Sequence, residues 1–79
     1  MEDGYIKEKY YNEMTAEDEK REILRNIINT KAELTNANIN FEFANTKELI
    51  DYYIYKIKSK QSELDNLIKL AKQKNIEIA

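Results

Sequence analysis

The sequence predicts an all-α fold, in the form of an antiparallel two-helix hairpin that is coiled-coil-like. The 79-residue chain holds no proline and one glycine, and 35% of its residues are charged, which favours long helices over a turn-rich β domain. Apolar residues recur at helical spacing in two stretches, with a short break between them. A chain of this length forms one small domain at most, with residues 1–14 as an N-terminal segment and residues 15–79 as the hairpin.

The first helix is predicted at about residues 16–43. Thr15 can cap its first turn, because the hydroxyl can accept a hydrogen bond from a free backbone amide. Glu17, Asp18 and Glu19 then place negative charge at the positive end of the helix dipole. Several asparagines near its end are poor helix formers, so we expect fraying or a bend there. One stripe along this helix consists of the apolar or small residues Ile23, Ile27, Thr30, Leu34, Ala37, Phe41 and Ala44.

The second helix is predicted at about residues 46–74, and either Asn45 or Thr46 can cap its start. The run Tyr52–Ile57 has strand propensity when it is taken alone, but the longer helical period outweighs it. The stripe of this helix consists of Ile50, Tyr53, Ile57, Leu64, Ile68 and Ala71, with Gln61 as a polar interruption.

The end of the second helix carries its own signals. Three lysines lie near the negative pole of the helix dipole, and Asn75 can adopt the left-handed conformation that ends a helix. Ile76 is then positioned to fold back on Ala71. We expect Ile76 to Ala79 to form a short tail.

A second apolar face is predicted on the second helix, well around the cylinder from its stripe. Because a short connection makes the helices antiparallel and leaves one seam, an isolated hairpin is expected to be marginally stable. We expect the second face to be covered by a partner helix or by a second copy, which would complete a bundle. Residues 1–14, as a flexible segment or a short third helix, are another possible cover. The candidate interaction face consists of Leu49, Tyr52, Leu67 and Leu70.

The residue inventory argues against an enzyme. The chain has no cysteine and no histidine, which excludes thiol nucleophiles, disulfides, imidazole catalysis and the usual zinc sites. Its serines have no histidine base, no glycine-rich phosphate loop is present, and two arginines cannot supply an anion clamp. The acids of the first helical turn lack the spacing of a calcium site. We therefore predict no catalytic residue, no cofactor, no metal and no small-molecule substrate.

Charge and hydropathy bear on the partner and the compartment. A pI near 5.2 argues against a dedicated nucleic-acid binder, since phosphate affinity depends on clustered lysine and arginine. The aromatic and basic run from Tyr52 to Lys60 resembles a stacking platform for single-stranded nucleic acid. On a helix, however, Lys56, Lys58 and Lys60 point in different directions, so we interpret the tyrosines as packing residues. The sequence has no stretch of about 20 apolar residues and no signal-peptide pattern at its acidic start. We expect a cytoplasmic protein that does not bind membranes.

Two segments resemble a known family. Residues 48–58, which read Glu-Leu-Ile-Asp-Tyr-Tyr-Ile-Tyr-Lys-Ile-Lys, and residues 67–76, which read Leu-Ile-Lys-Leu-Ala-Lys-Gln-Lys-Asn-Ile, are similar to the YaaL-like small proteins of spore-forming Gram-positive bacteria. The shared pattern covers most of residues 20–79 and contains no catalytic signature. The resemblance implies a small helical protein of unknown function, and we interpret the chain as a non-enzymatic interaction module.

A second resemblance offers an alternative function. Residues 61–68, which read Gln-Ser-Glu-Leu-Asp-Asn-Leu-Ile, are similar to the Ser-Gln-x-Leu-Asp-x-Leu-Ile signature of helical-hairpin phosphatases that act on sporulation response regulators. The leading serine and glutamine are exchanged here, and the second helix extends beyond the motif on both sides. This resemblance implies a regulator that binds a receiver domain, with Asp65 as the residue to test. A nucleic-acid accessory role is the third hypothesis.

Overall fold

The computed structural model describes residues 15–78, which form two antiparallel helices and no strand. Helix α1 spans Ala16–Glu42 and helix α2 spans Lys47–Gln73, with four residues between them. The predicted all-α hairpin is confirmed, and both helices end one residue earlier than the sequence predicted. The predicted flexible segment or third helix at 1–14 lies outside the described residues.

Helix α1 begins with the cap that the sequence predicted. Thr15 has an extended backbone, and its hydroxyl accepts a hydrogen bond of 3.1 Å from the amide of Asp18. The asparagine-rich end neither frays nor interrupts the helix before Glu42. Within this stretch the side-chain amide of Asn38 donates to the backbone carbonyl of Leu34 over 3.0 Å.

Helix α2 resolves the choice that the sequence left open at its start. Thr46 is the cap, because its hydroxyl accepts a hydrogen bond of 3.1 Å from the amide of Leu49. The run Tyr52–Ile57 lies inside the helix, so the longer helical period did predict the correct structure.

The C-terminal end of α2 is a Schellman motif. Asn75 has a positive φ of 57°, as predicted. The amide of Asn75 donates to the carbonyl of Lys72 over 3.1 Å, and the amide of Ile76 donates to that of Ala71 over 2.9 Å. Ile76 and Ile78 are half-buried against the core, so the predicted short tail folds back on the helices.

Most of the core lies in the half of the hairpin that is remote from the connection, while Ala37 is buried nearer to the connection. A core cluster of Ile23, Ile27, Leu64 and Ala71 is buried between the helices. Half-buried residues of both helices and the tail pack around it, namely Leu34, Leu67, Ile68, Ile76 and Ile78. Every predicted stripe residue of α1 is buried or half-buried. Ile50 of α2 departs from the prediction and is 36% exposed, because it lies beside the connection, where α1 has already ended.

The polar interruption of the face of α2 that packs against α1 is a lysine one residue away from the predicted position. Gln61 is exposed, whereas the side chain of Lys60 is only 23% exposed and lies against Glu33 of α1. Their charged atoms are 2.5 Å apart. A second ion pair joins Lys74 to Glu19 across the helices. Because 14 residues separate the two acids and also the two lysines, both pairs fit one antiparallel register.

Candidate interaction face of α2

The predicted interaction face is exposed on α2, apart from one residue. Leu49 is 42% exposed, Tyr52 54% and Leu70 37%. Leu67 is half-buried and packs against the core cluster, so it belongs both to the seam between the helices and to the interaction face. Helical spacing places polar residues on the same face, between the two apolar ends. We call this face the α2 stripe, and it consists of Leu49, Tyr52, Lys56, Ser59, Glu63, Leu67 and Leu70.

An aromatic arrangement lies at the end of the α2 stripe that is nearer the connection. The rings of Tyr52 and Tyr53 meet edge to face, with centroids 4.9 Å apart. The ammonium group of Lys56 lies 5.7 Å from the centroid of the Tyr52 ring, which is cation–π geometry. Tyr52, Lys56 and Ser59 also line a shallow surface depression together with Asp51 and Tyr55. This end offers ring faces and a lysine to a partner.

The centre of the α2 stripe is charged. Lys60 lies at its edge and contacts Glu33 of α1 and Glu63 of the stripe, the latter over 3.2 Å. The hydrogen bond from Lys60 lowers the pKa of the Glu33 carboxyl below its ordinary value. Hydrogen bonds to Glu33 and Glu63 raise the pKa of Lys60. Among residues 15–78, Lys56 forms no ion pair.

Further apolar side chains are exposed near the connection, and the sequence did not predict them as an interaction surface. They point in several directions around the two helices and do not form one stripe. Phe43 follows α1 directly and is 78% exposed. Its only sequence signal is its position at the predicted end of α1. The others nearby are Ile39, Ile50, Ile54 and Tyr55.

The acidic residues considered for phosphatase activity and for metal binding lie on different helices. Asp65 is exposed on α2, and its carboxylate accepts a hydrogen bond of 2.9 Å from the side-chain amide of Gln61. In the first turn of α1, Asp18 pairs with Arg21 over 2.9 Å. Among the described residues, no group of three acids is placed to hold a metal ion. Within residues 15–78, neither helix is apolar enough over a sufficient length to cross a bilayer.

Comparisons of this chain with known proteins found no match. No protein-family model matches the chain. No curated protein and no solved structure matches it either. The YaaL-like and phosphatase-like resemblances therefore stay predictions.

Proposed function

We propose that this chain is a non-enzymatic, YaaL-like cytoplasmic interaction module that binds a helical protein surface through the α2 stripe. One observation carries the proposal. The hairpin buries the core cluster of its seam, yet it leaves Leu49, Tyr52 and Leu70 exposed on a single face of α2. Aligned apolar residues on one helix face are typical of a helix that packs against a further helix.

The size of the exposed apolar surface indicates how strong such binding can be. Covering the exposed parts of Leu49, Tyr52 and Leu70 removes on the order of 250 Å² from water, which corresponds to about 6 kcal/mol at ~25 cal/mol per Å². Association costs roughly 4–15 kcal/mol in lost freedom of motion. These three side chains alone therefore support weak binding, and a tighter complex needs the neighbouring charges or an apolar contribution from the partner.

Position-specific photo-crosslinking in the cells that produce the protein tests this function. A photoreactive phenylalanine analogue replaces Tyr52 in the α2 stripe, and a control variant carries it at Ala32, which is exposed on the far side of α1. We expect protein adducts from position 52 and none from position 32, with the partner then identified by mass spectrometry. Equal labelling at the two positions, or none at position 52, would contradict the proposed function.

A phosphatase-like regulator of aspartyl-phosphorylated receiver domains is the second candidate. The observation in its favour is the position of Asp65, whose exposed carboxylate is oriented by Gln61. An acidic residue held in this way could position the water that attacks an acyl phosphate. Purified wild-type protein should then accelerate loss of phosphate from a phosphorylated receiver domain, and Asp65→Ala should abolish the effect, with Asn66→Ala as the neighbouring control. No acceleration by the wild type would rule this candidate out.

A further inference from the structure

The α2 stripe has a near-symmetric order of residue types along the helix. The gaps between its apolar and charged residues are 3, 4, 7, 4 and 3 residues from Leu49 to Leu70. Leu49 and Leu70 are equivalent ends, and Lys56 and Glu63 are opposite charges at equal distances from the centre. The centre falls between Ser59 and Lys60. The remaining pair consists of Tyr52 and Leu67, both apolar.

We propose that the partner of the α2 stripe is a second copy of this chain, with the two α2 helices antiparallel about a two-fold axis that passes between Ser59 and Lys60. The proposal rests on the function proposed above and names the partner. In this arrangement Leu49 packs against the partner subunit's Leu70, and Tyr52 packs against the partner subunit's Leu67. Because a two-fold interface uses the same patch on both copies, each contact occurs twice.

Charge supports a second copy as the occupant. Lys56 lies opposite the partner subunit's Glu63, and the symmetry repeats this pair on the other side of the axis. Within residues 15–78 Lys56 forms no ion pair, and its ammonium group lies over the ring of Tyr52 on the same stripe. Lys60 lies next to its own symmetry mate, but its charge is already balanced by Glu33 and Glu63. The centre of the interface therefore contains no excess of one charge.

The dimensions of α2 fit such an interface. At 1.5 Å per residue, the stripe from Leu49 to Leu70 is about 32 Å long and lies within the 27 residues of α2. The small side chain of Ser59 lets the helices approach closely at the axis. Seven side chains that each bury roughly 70 Å² give about 500 Å² per copy, which is near the lower limit for a specific interface. We therefore expect a weak dimer that dissociates on dilution.

Cysteine crosslinking tests the position of the axis, because the natural chain contains no cysteine. Ser59→Cys places a thiol beside the axis. Ser62→Cys is the matched control, because this exposed serine lies about 60° further around α2, away from the stripe, and about 7.5 Å along the helix from its symmetry mate. Under mild oxidation we expect a disulfide-linked dimer from Ser59→Cys and a monomer from Ser62→Cys. Mixing Leu49→Cys and Leu70→Cys chains should link the two different chains, since the helices are antiparallel.

Charge reversal tests the register. Lys56→Glu and Glu63→Lys should each weaken self-association at least ~10-fold in sedimentation equilibrium, because each places like charges opposite one another twice. The double variant, and an equimolar mixture of the two single variants, should restore dimers. Far-UV circular dichroism checks that each variant still folds.

The outcomes separate this proposal from the function on which it rests. A chain that stays monomeric at high concentration, or equal crosslinking of Ser59→Cys and Ser62→Cys, overturns the homodimer. If position 52 still forms specific adducts with a different protein in cells, the interaction function stands and only the identity of the partner is wrong. If neither self-association nor specific adducts are found, both proposals are wrong.

Discussion

Replacing Ile27 by alanine tests whether the seam between the helices holds the hairpin together. Ile27 is 2% exposed and belongs to the core cluster with Ile23, Leu64 and Ala71. Buried isoleucine-to-alanine changes cost about 2–5 kcal/mol. We expect about 2–3 kcal/mol here, because a seam between only two helices can partly close around the space that the side chain leaves.

The next residue supplies the matched control. Ile28 is 66% exposed on the same helix, so Ile28→Ala removes the same atoms from solvent-accessible surface. Its effect on the free energy of unfolding should stay within about 0.5 kcal/mol. At roughly 0.05–0.15 kcal/mol per residue, the whole chain holds only about 4–12 kcal/mol. Ile27→Ala therefore removes a large share of the total stability.

Urea unfolding followed by circular dichroism at 222 nm measures both variants. The protein concentration has to be equal in all samples, since self-association would raise the apparent stability. In thermal melts, Ile27→Ala should lower Tm by about 10–20 °C. A shift below about 0.5 kcal/mol for Ile27→Ala, or equal losses for both variants, would show that Ile27 is not buried between the helices as described.

Three further perturbations address the ends of α2 and the ion pair across the seam. Because the pKa of Glu33 is lowered below 4.5 in the fold, its contribution to stability is present above that pH and is lost as the pH falls through the lowered value. Acid titration should therefore show a smaller loss of unfolding free energy for Glu33→Gln than for wild type. The raised pKa of Lys60 adds stability that is present below 10.5 and is lost as the pH rises through the raised value. Thr46→Ala should cost about 1 kcal/mol in urea unfolding, and Asn45→Ala should cost much less, because Thr46 is the cap. Asn75→Ala should cost roughly 1–2 kcal/mol, and Asn75→Gly should be at least as stable as wild type in thermal melts, because φ is 57° at this position.

The local features of this fold were predictable from the sequence. Thr15, Thr46 and Asn75 act at the helix ends through their own backbone and side-chain chemistry, which a short stretch of sequence contains. The stripe of α1 follows from the helical spacing of its apolar residues, and the short connection makes the two helices antiparallel. The exposure of Leu49 and Tyr52 follows in the same way from their position around α2.

The features that depend on both helices were not predictable. The helical spacing of α2 alone does not separate Lys60 from Gln61 as the residue that interrupts the seam. The choice depends on which residue meets an acid of α1, and therefore on the register between the helices. The half-buried state of Leu67 and the return of Ile78 to the core likewise depend on what lies across the seam. For the candidate site, the sequence predicted the exposure of Leu49, Tyr52 and Leu70 but not that Leu67 also packs against the core cluster.

The uneven placement of the core has a consequence for how the hairpin comes apart. The peptide link holds the helices together at one end, and the core cluster with Ile76 and Ile78 holds them at the other. A protease cut between Ala44 and Asn45 would remove the link without touching those buried side chains. After such a nick the association of the two peptides should depend on concentration, because two separate chains must then be brought together. Separately synthesised halves should recombine when they are mixed at high concentration.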